Sequence, residues 1–275
     1  MNSSMSNPTI EVLSGQKGSN PGGFCVFNNG KDKFEGHFKY CVGSKIPKGY
    51  SSLVPEHQPF YEAITFELAR RLGLKTPPFF ILLNNKKDVK FEDPNNFFPH
   101  NHSGRPSYFF SKKICEPNIQ GLDEIGTKII GRERVYLESL MISDILGKRQ
   151  NYMILSKNSD FEVFYLDLGC SFVHAVGGFI YLPNDLKRYF KSSSKKRDKC
   201  SLKDRTIVGA DDNLLINLEE LVYSFEGLTI PTLNPYSRIP VSNLISSGEL
   251  EEIDNYLIHG LCKSLHDYKE KGFLM

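Results

Sequence analysis

The sequence has no tryptophan, no cysteines in C-x-x-C spacing and no apolar run near the roughly 20 residues that a membrane span needs. The last absence excludes an integral helical membrane protein. Six cysteines stand at 25, 41, 115, 170, 200 and 262, too scattered for a zinc site or a disulfide framework. Reduced thiols in the cytoplasm are therefore expected. The opening MNSSMSNPTIEVLSG has neither a charged start nor an apolar core, which argues against a cleaved secretory signal and leaves open export that uses none. A strong charge of one sign is lacking too, since the net is only +2. What is present, 40% hydrophobic and 24% charged residues over 275 positions, suits a globular protein of one large or two small domains.

The near-neutral total hides one uneven stretch. Between Lys187 and Arg205 there are nine basic residues against Asp198 and Asp204. The composition of SSSKKRDK is that of a solvated loop. The sharper reading is a docking surface for a polyanion such as an inositol phosphate, a phosphoinositide headgroup or nucleic acid. Nucleic acid is the weakest of these, because only Tyr189 and Phe190 interleave the charges as stacking platforms.

Apolar spacing divides the chain into elements. Residues 10–13, 24–27 and 34–42 read as strands of a small antiparallel sheet, joined by a glycine-rich turn over 14–23 and by Asn28-Asn29-Gly30-Lys31. Residues 58–74 have helical spacing, with Gly73 as the stop and Pro77-Pro78 beyond it. A buried strand over 79–83, a loop over 84–107 and a strand over 108–114 follow. The loop's His100-Asn101-His102 lacks further metal ligands at credible spacing. Downstream, helices are expected over 132–146, ended by Gly147, and over 213–226, ended by Gly227. A proline-bearing linker over 231–240 precedes a last helix to about residue 269, whose start Ser246 and Glu249 mark as a capping box. Strands dominate before 115–122 and helices after it. The fold class is α+β, with a boundary dividing 1–118 from 119–275.

The candidate chemistry lies in 144–172. Two apolar runs around the polar turn 156–160 read as a β-hairpin, with Asn151 before it and Asp167-Leu168-Gly169 after it. A hairpin brings its ends together, so the Asn151 amide and the Asp167 carboxylate meet on one side. An amide oxygen beside a carboxylate is a hard-ligand pair for Mg²⁺, although Asp-x-Gly after an apolar strand is also an ordinary turn. Lys39 follows the glycine-rich turn and points either into a cleft or to solvent. Glu62 either pairs with Lys39 or faces the positive end of its helix. G-x-x-x-x-G-K-[ST] is absent and the glycine-rich turn leads into a strand, which disfavours a P-loop NTPase.

The order of these parts resembles the protein-kinase-like fold, closest to the atypical branch of HipA-type kinases and phosphatidylinositol 3/4-kinase-like proteins. The pieces are GSNPGG before a lysine-bearing strand, YEAITFELARRLGLKTPPFF, and QNYMIL with FYLDLG, within about residues 10 to 185. The resemblance implies two lobes: a small antiparallel-sheet N-lobe with one main helix, and a mainly helical C-lobe. It implies that Gly18, Gly22 and Gly23 cover ATP phosphates and that Lys39, paired with Glu62, contacts the α- and β-phosphates. Backbone atoms near Ile114, Cys115 and Glu116 would meet adenine, and Asn151 and Asp167 would hold Mg²⁺ or Mn²⁺. The family's catalytic Asp stands five residues before the metal Asn, where this chain has Leu146. Asp144, seven residues ahead, is the nearest carboxylate, and Lys148 and Arg149 in the shortened loop could neutralise transferring phosphate. Asp144 and Lys148 are the catalytic candidates.

The resemblance implies an ATP- and Mg²⁺-dependent kinase acting on a protein or on an inositol lipid or phosphate. The alternative is a pseudokinase that binds nucleotide or a partner without turnover, and a third reading has polyanion docking at 187–205 switch a kinase on. Lysine outnumbers arginine, asparagine is frequent and tryptophan is absent, which suits an AT-rich bacterial genome. That origin adds an effector exported into a host cell to the cytoplasmic reading.

Overall fold

Alternation of apolar and polar side chains in the first 112 residues builds one sheet with two differently used faces. The computed structural model describes residues 8–16, 21–40, 52–83, 89–98, 107–115, 123–142, 145, 151–157, 160–169, 171–172, 225, 227–233 and 237–270. The strands are β1 (Thr9–Val12), β2 (Gly22–Asn28), β3 (Lys33–Lys39), β4 (Phe79–Leu83), β5 (Lys90–Glu92) and β6 (Ser107–Lys112), in the order β4-β6-β3-β2-β1-β5. All neighbours are antiparallel except β1 and β5. On one face Ile10, Val12, Cys25, Phe27, Phe38 and Phe110 form a closed apolar cluster. On the other, Phe79 and Phe109 pack beneath Phe66 of helix α1 (Gln58–Arg71), with ring centroids 5.2 and 4.9 Å away.

α1 ends as its glycine predicts. Gly73 has φ 81°, its N–H donates to Arg70 O at 3.0 Å, and the Leu74 N–H reaches back to Ala69 O at 3.0 Å. These are the paired bonds of a Schellman cap. The chain then passes Lys75, whose carbonyl accepts from the Tyr165 N–H at 2.9 Å, tying this segment to the hairpin of β7 (Tyr152–Lys157) and β8 (Asp160–Tyr165). The hairpin is the expected one, with Tyr152 opposite Tyr165 and the Leu166 N–H donating to Asn151 O at 2.8 Å. Helix α2 (Asp123–Ser139) packs beside it against β8, and helix α3 (Ser247–Glu270) packs along α2. They come close at Gly260, where a Cβ would lie 2.6 Å from Ser139 O. The Ser246 and Glu249 capping box forms at the start of α3, with the Ser246 N–H on Glu249 Oε2 at 2.7 Å and the Glu249 N–H on Ser246 Oγ at 3.3 Å.

Several expected bounds need correction. α2 starts at Asp123 and ends at Ser139, where 132–146 was expected. Gly126 and Gly131 weaken the helical signal of its first half, and its stop is Met141, left-handed at φ 58° without being a glycine. The 84–107 loop contains β5 and a turn in which Asp93 accepts from the Phe97 and Phe98 N–H groups. The 231–240 linker is part of a two-stranded ladder of β9 (Thr229–Pro231) and β10 (Arg238–Pro240). Gly22 and Gly23 lie in β2 instead of a turn: a Cβ would meet Phe38 O or Ser14 O at 2.1 Å, so these glycines allow close backbone packing. The expected helix at 213–226 apart from Phe225, the basic stretch 187–205, the histidines near 100 and the 116–122 boundary lie outside the described residues. The α+β class holds. Among the described residues no helix is long and apolar enough to cross a membrane, and Cys25, Cys115 and Cys262 are not in disulfides.

Candidate functional site

The last residue of β3, the middle of α1 and the residues after β8 converge on one ammonium. Lys39 Nζ lies 2.6 Å from Glu62 Oε1 and 2.7 Å from Asp167 Oδ1. Lys39 and Glu62 are buried, whereas the Asp167 side chain is 37% exposed and opens the cluster to solvent. Burial lowers the Lys39 pKa, but the charges of Asp167 and Glu62 more than reverse this and hold it above the ordinary lysine value. Burial raises the Asp167 carboxyl, and Lys39 more than offsets that, leaving it below its ordinary value. Lys39 and Asp167 are therefore both charged at neutral pH. Gly169 donates its N–H to the same Asp167 Oδ1 at 3.1 Å, so Oδ2 is spent on neither donor. Gly169 itself is forced by crowding, since a Cβ there would lie 2.8 Å from Glu62 Oε2.

α1 meets this segment along a polar stripe. Gln58, Glu62 and Thr65 recur at i, i+4 and i+7, one face of a helix. All three are buried. Gln58 Nε2 donates to Gly169 O at 3.2 Å, and Thr65 Oγ1 lies 2.6 Å from Ser171 Oγ. The stripe thus holds Gly169 and Ser171 directly and Asp167 through Lys39.

A cavity of about 480 Å³ opens beside Lys39 and Asp167. From the sheet it is lined by Phe24, His37 and Ser111, which are register partners on three adjacent strands. From the hairpin it is lined by Asn151, Met153 and Leu166. The Phe24 and His37 rings meet edge-on at 5.4 Å. Burial pushes the His37 pKa down to about 4, aided by Lys39 and opposed by Asp167, so the imidazole is neutral at pH 7. Asn151 is 3% exposed, and among the described residues its Nδ2 has no hydrogen-bond partner. An orphaned buried amide costs about 1–3 kcal/mol, which a ligand of this cavity would recover.

Of the candidates read from the sequence, the structure brings Lys39, Glu62 and Asp167 into direct contact and sets Asn151 on the same cavity. Gly22 stands opposite Lys39 in the ladder. Cys115 is exposed, one residue beyond the cavity-lining Ile114. Gly18, Glu116, Asp144, Leu146, Lys148 and Arg149 lie outside the described residues. Sequence reasoning missed Gln58, Thr65 and His37. The first two were detectable as polar residues at helical spacing, and His37 as the residue two before Lys39 on the same strand face.

No family model matches the chain, and no curated protein matches it. Among solved structures, similarity extends to a chain of the Shewanella oneidensis MR-1 toxin–antitoxin complex of HipA, HipB and its operator DNA. The TM-score is 0.42 at 15% identity, over 96% of this chain and 66% of that one. This chain thus spans slightly less than two thirds of that chain's length.

Proposed function

We propose that this chain is an ATP- and Mg²⁺-dependent phosphotransferase of the two-lobed protein-kinase-like fold, with lobes 1–118 and 119–275, acting on a protein or on an inositol lipid or phosphate. The observation that carries this reading is the buried Lys39 ammonium, bridging Glu62 and Asp167 at the wall of the cavity. An ammonium fixed by two carboxylates is charged and oriented before any ligand arrives, the preorganisation that phosphate charge exploits. The cavity volume is in the range of small-molecule sites, and its apolar lining of Phe24 on the sheet with Met153 and Leu166 at the hairpin suits a planar base.

Asp167 Oδ2 and the Asn151 amide suit a hard divalent ion, since the two ends of an amide are interchangeable in shape and either can face the cavity. These residues would hold Mg²⁺, which when bound neutralises phosphate charge. Lys39 then binds phosphate oxygens, Glu62 keeps Lys39 oriented, and Gly169 fixes the rotamer of Asp167. Transfer of label from γ-labelled ATP to substrate or self, compared between wild type and Asp167→Ala, tests the proposal. Equal signals would overturn it. A pseudokinase is the second reading, favoured by Leu146 five residues before Asn151. Thermal stabilisation by ATP and Mg²⁺ without labelled product would establish that reading instead.

A further inference from the structure

α1 is also gripped by the start of α3. Glu249 is 1% exposed, and its carboxylate receives donors on both oxygens. Tyr61 Oη donates to Oε1 at 2.5 Å and His57 Nδ1 lies 2.7 Å from the same atom. The Ser246 N–H and Oγ reach Oε2 at 2.7 and 2.8 Å. The Tyr61 hydroxyl in turn accepts the Val54 N–H at 2.8 Å, and the Ser52 N–H reaches Glu252 Oε2 at 2.5 Å. A capping box needs only the Ser246 side of this carboxylate. Oε1 is instead committed to the chain that enters α1.

Tyr61 immediately precedes Glu62, so the same turn of α1 is held by both α3 and Lys39. We propose that Glu249 and Tyr61 are positioning residues for the nucleotide cleft: the N-terminus of α3 sets the rotation of α1 that delivers Glu62 to Lys39. The inference rests on the nucleotide-binding reading above. Geometry makes the ion pair sensitive to such a setting. With side chains about 5–6 Å from the helix axis, a rotation of about 10° moves a carboxylate by roughly 1 Å. A hydrogen-bonded contact does not survive that displacement. Gln58 and Thr65 ride on the same helix, so a loosened α1 also loosens residues 167–171.

A double-mutant cycle on the full chain tests this, because a residue that only stabilises the fold weakens binding equally with or without its supposed target. Mg²⁺–ATP affinity is measured by calorimetry for wild type, Tyr61→Phe, Glu62→Gln and the double variant, with thermal unfolding in parallel. Tyr61→Phe keeps the ring and loses only the hydroxyl. It is expected to weaken binding roughly fivefold in the wild-type background and less than twofold in the Glu62→Gln background. Glu249→Gln, which keeps an acceptor for Tyr61, is expected to retain most of the affinity that Glu249→Ala loses. Equal losses from Tyr61→Phe in both backgrounds would overturn the inference while leaving the kinase reading intact. Failure of wild type to bind ATP would remove both.

Discussion

Removing the Lys39 ammonium leaves Glu62 and Asp167 facing each other in a largely buried site, where two carboxylates do not both stay charged. Lys39→Met is therefore expected to cost about 3–5 kcal/mol in urea unfolding, the scale for an orphaned buried charge. Asp167→Asn leaves the Lys39–Glu62 pair in place and trims an exposed carboxylate, so it should cost only about 1 kcal/mol while abolishing phosphotransfer. Equal stability losses would show that Asp167 is structural. Acid titration isolates a second residue. Burial raises the Glu249 carboxyl, but its donors His57, Tyr61 and Ser246 bring it down to about 2 from an ordinary 4.5. A carboxyl lowered on folding stabilises above its unfolded pKa and loses that contribution as pH falls through the folded value. Unfolding free energy should thus drop by up to about 3 kcal/mol between pH 4.5 and 2, and Glu249→Gln should remove that part of the slope. Lys39 and Glu62 were legible as candidates because a lysine strand followed by a glutamate helix is an ordered pattern. Tyr61 was not, because nothing local distinguishes a hydroxyl that bonds 188 residues away from any buried tyrosine.

Helix ends and helix contacts separate three glycines that look alike in the sequence. Gly73 is left-handed at φ 81° with open space where a Cβ would stand, so Gly73→Ala meets only backbone strain, about 1 kcal/mol. Gly260→Ala would press a Cβ to 2.6 and 2.7 Å from the carbonyls of Ser139 and Glu138, forcing α2 and α3 apart at about 1–3 kcal/mol. Gly131 stands inside α2 with nothing near it, so Gly131→Ala should stabilise by about 0.5–1 kcal/mol. Thermal unfolding of the three variants checks the ranking, and a stabilising Gly260→Ala would contradict the α2–α3 contact. The same elements show why one helix was read well and another badly. α1 has Phe60, Ala63, Ile64 and Leu68 at helical spacing, Leu72 continuing it, and a glycine stop. α2 begins across two glycines and stops at Met141, which adopts the left-handed conformation because the Ile142 N–H bonds Leu137 O at 2.9 Å and burial holds the side chain. A search for glycine stops therefore passed over the true end and chose Gly147.

Across the whole molecule, the strand order β4-β6-β3-β2-β1-β5 was beyond local patterning, because pairing partners far apart in sequence leave no periodic trace. Long-range polar links decide how the parts meet. Lys39 reaches Asp167 across 128 residues, and His57 reaches Glu249 across 192. Such links tie the sheet, α1, the hairpin and α3 to one cavity, so a ligand there should stabilise the chain as a unit. With ATP and Mg²⁺ at 100 times the dissociation constant, binding to the folded state alone adds about 2.7 kcal/mol. For a chain of this size that is a rise of roughly 5 °C or more in Tm. The rise should shrink when Mg²⁺ is chelated or when Asn151→Ala removes an amide whose Nδ2 has no partner among the described residues, because on the proposed reading the ion and the amide belong to one metal site. It should be nearly absent in Lys39→Met. An equal rise in Asn151→Ala and wild type, at the same excess of ligand over the wild-type dissociation constant, would mean that the amide faces no part of the ligand and that any divalent ion sits on Asp167 alone.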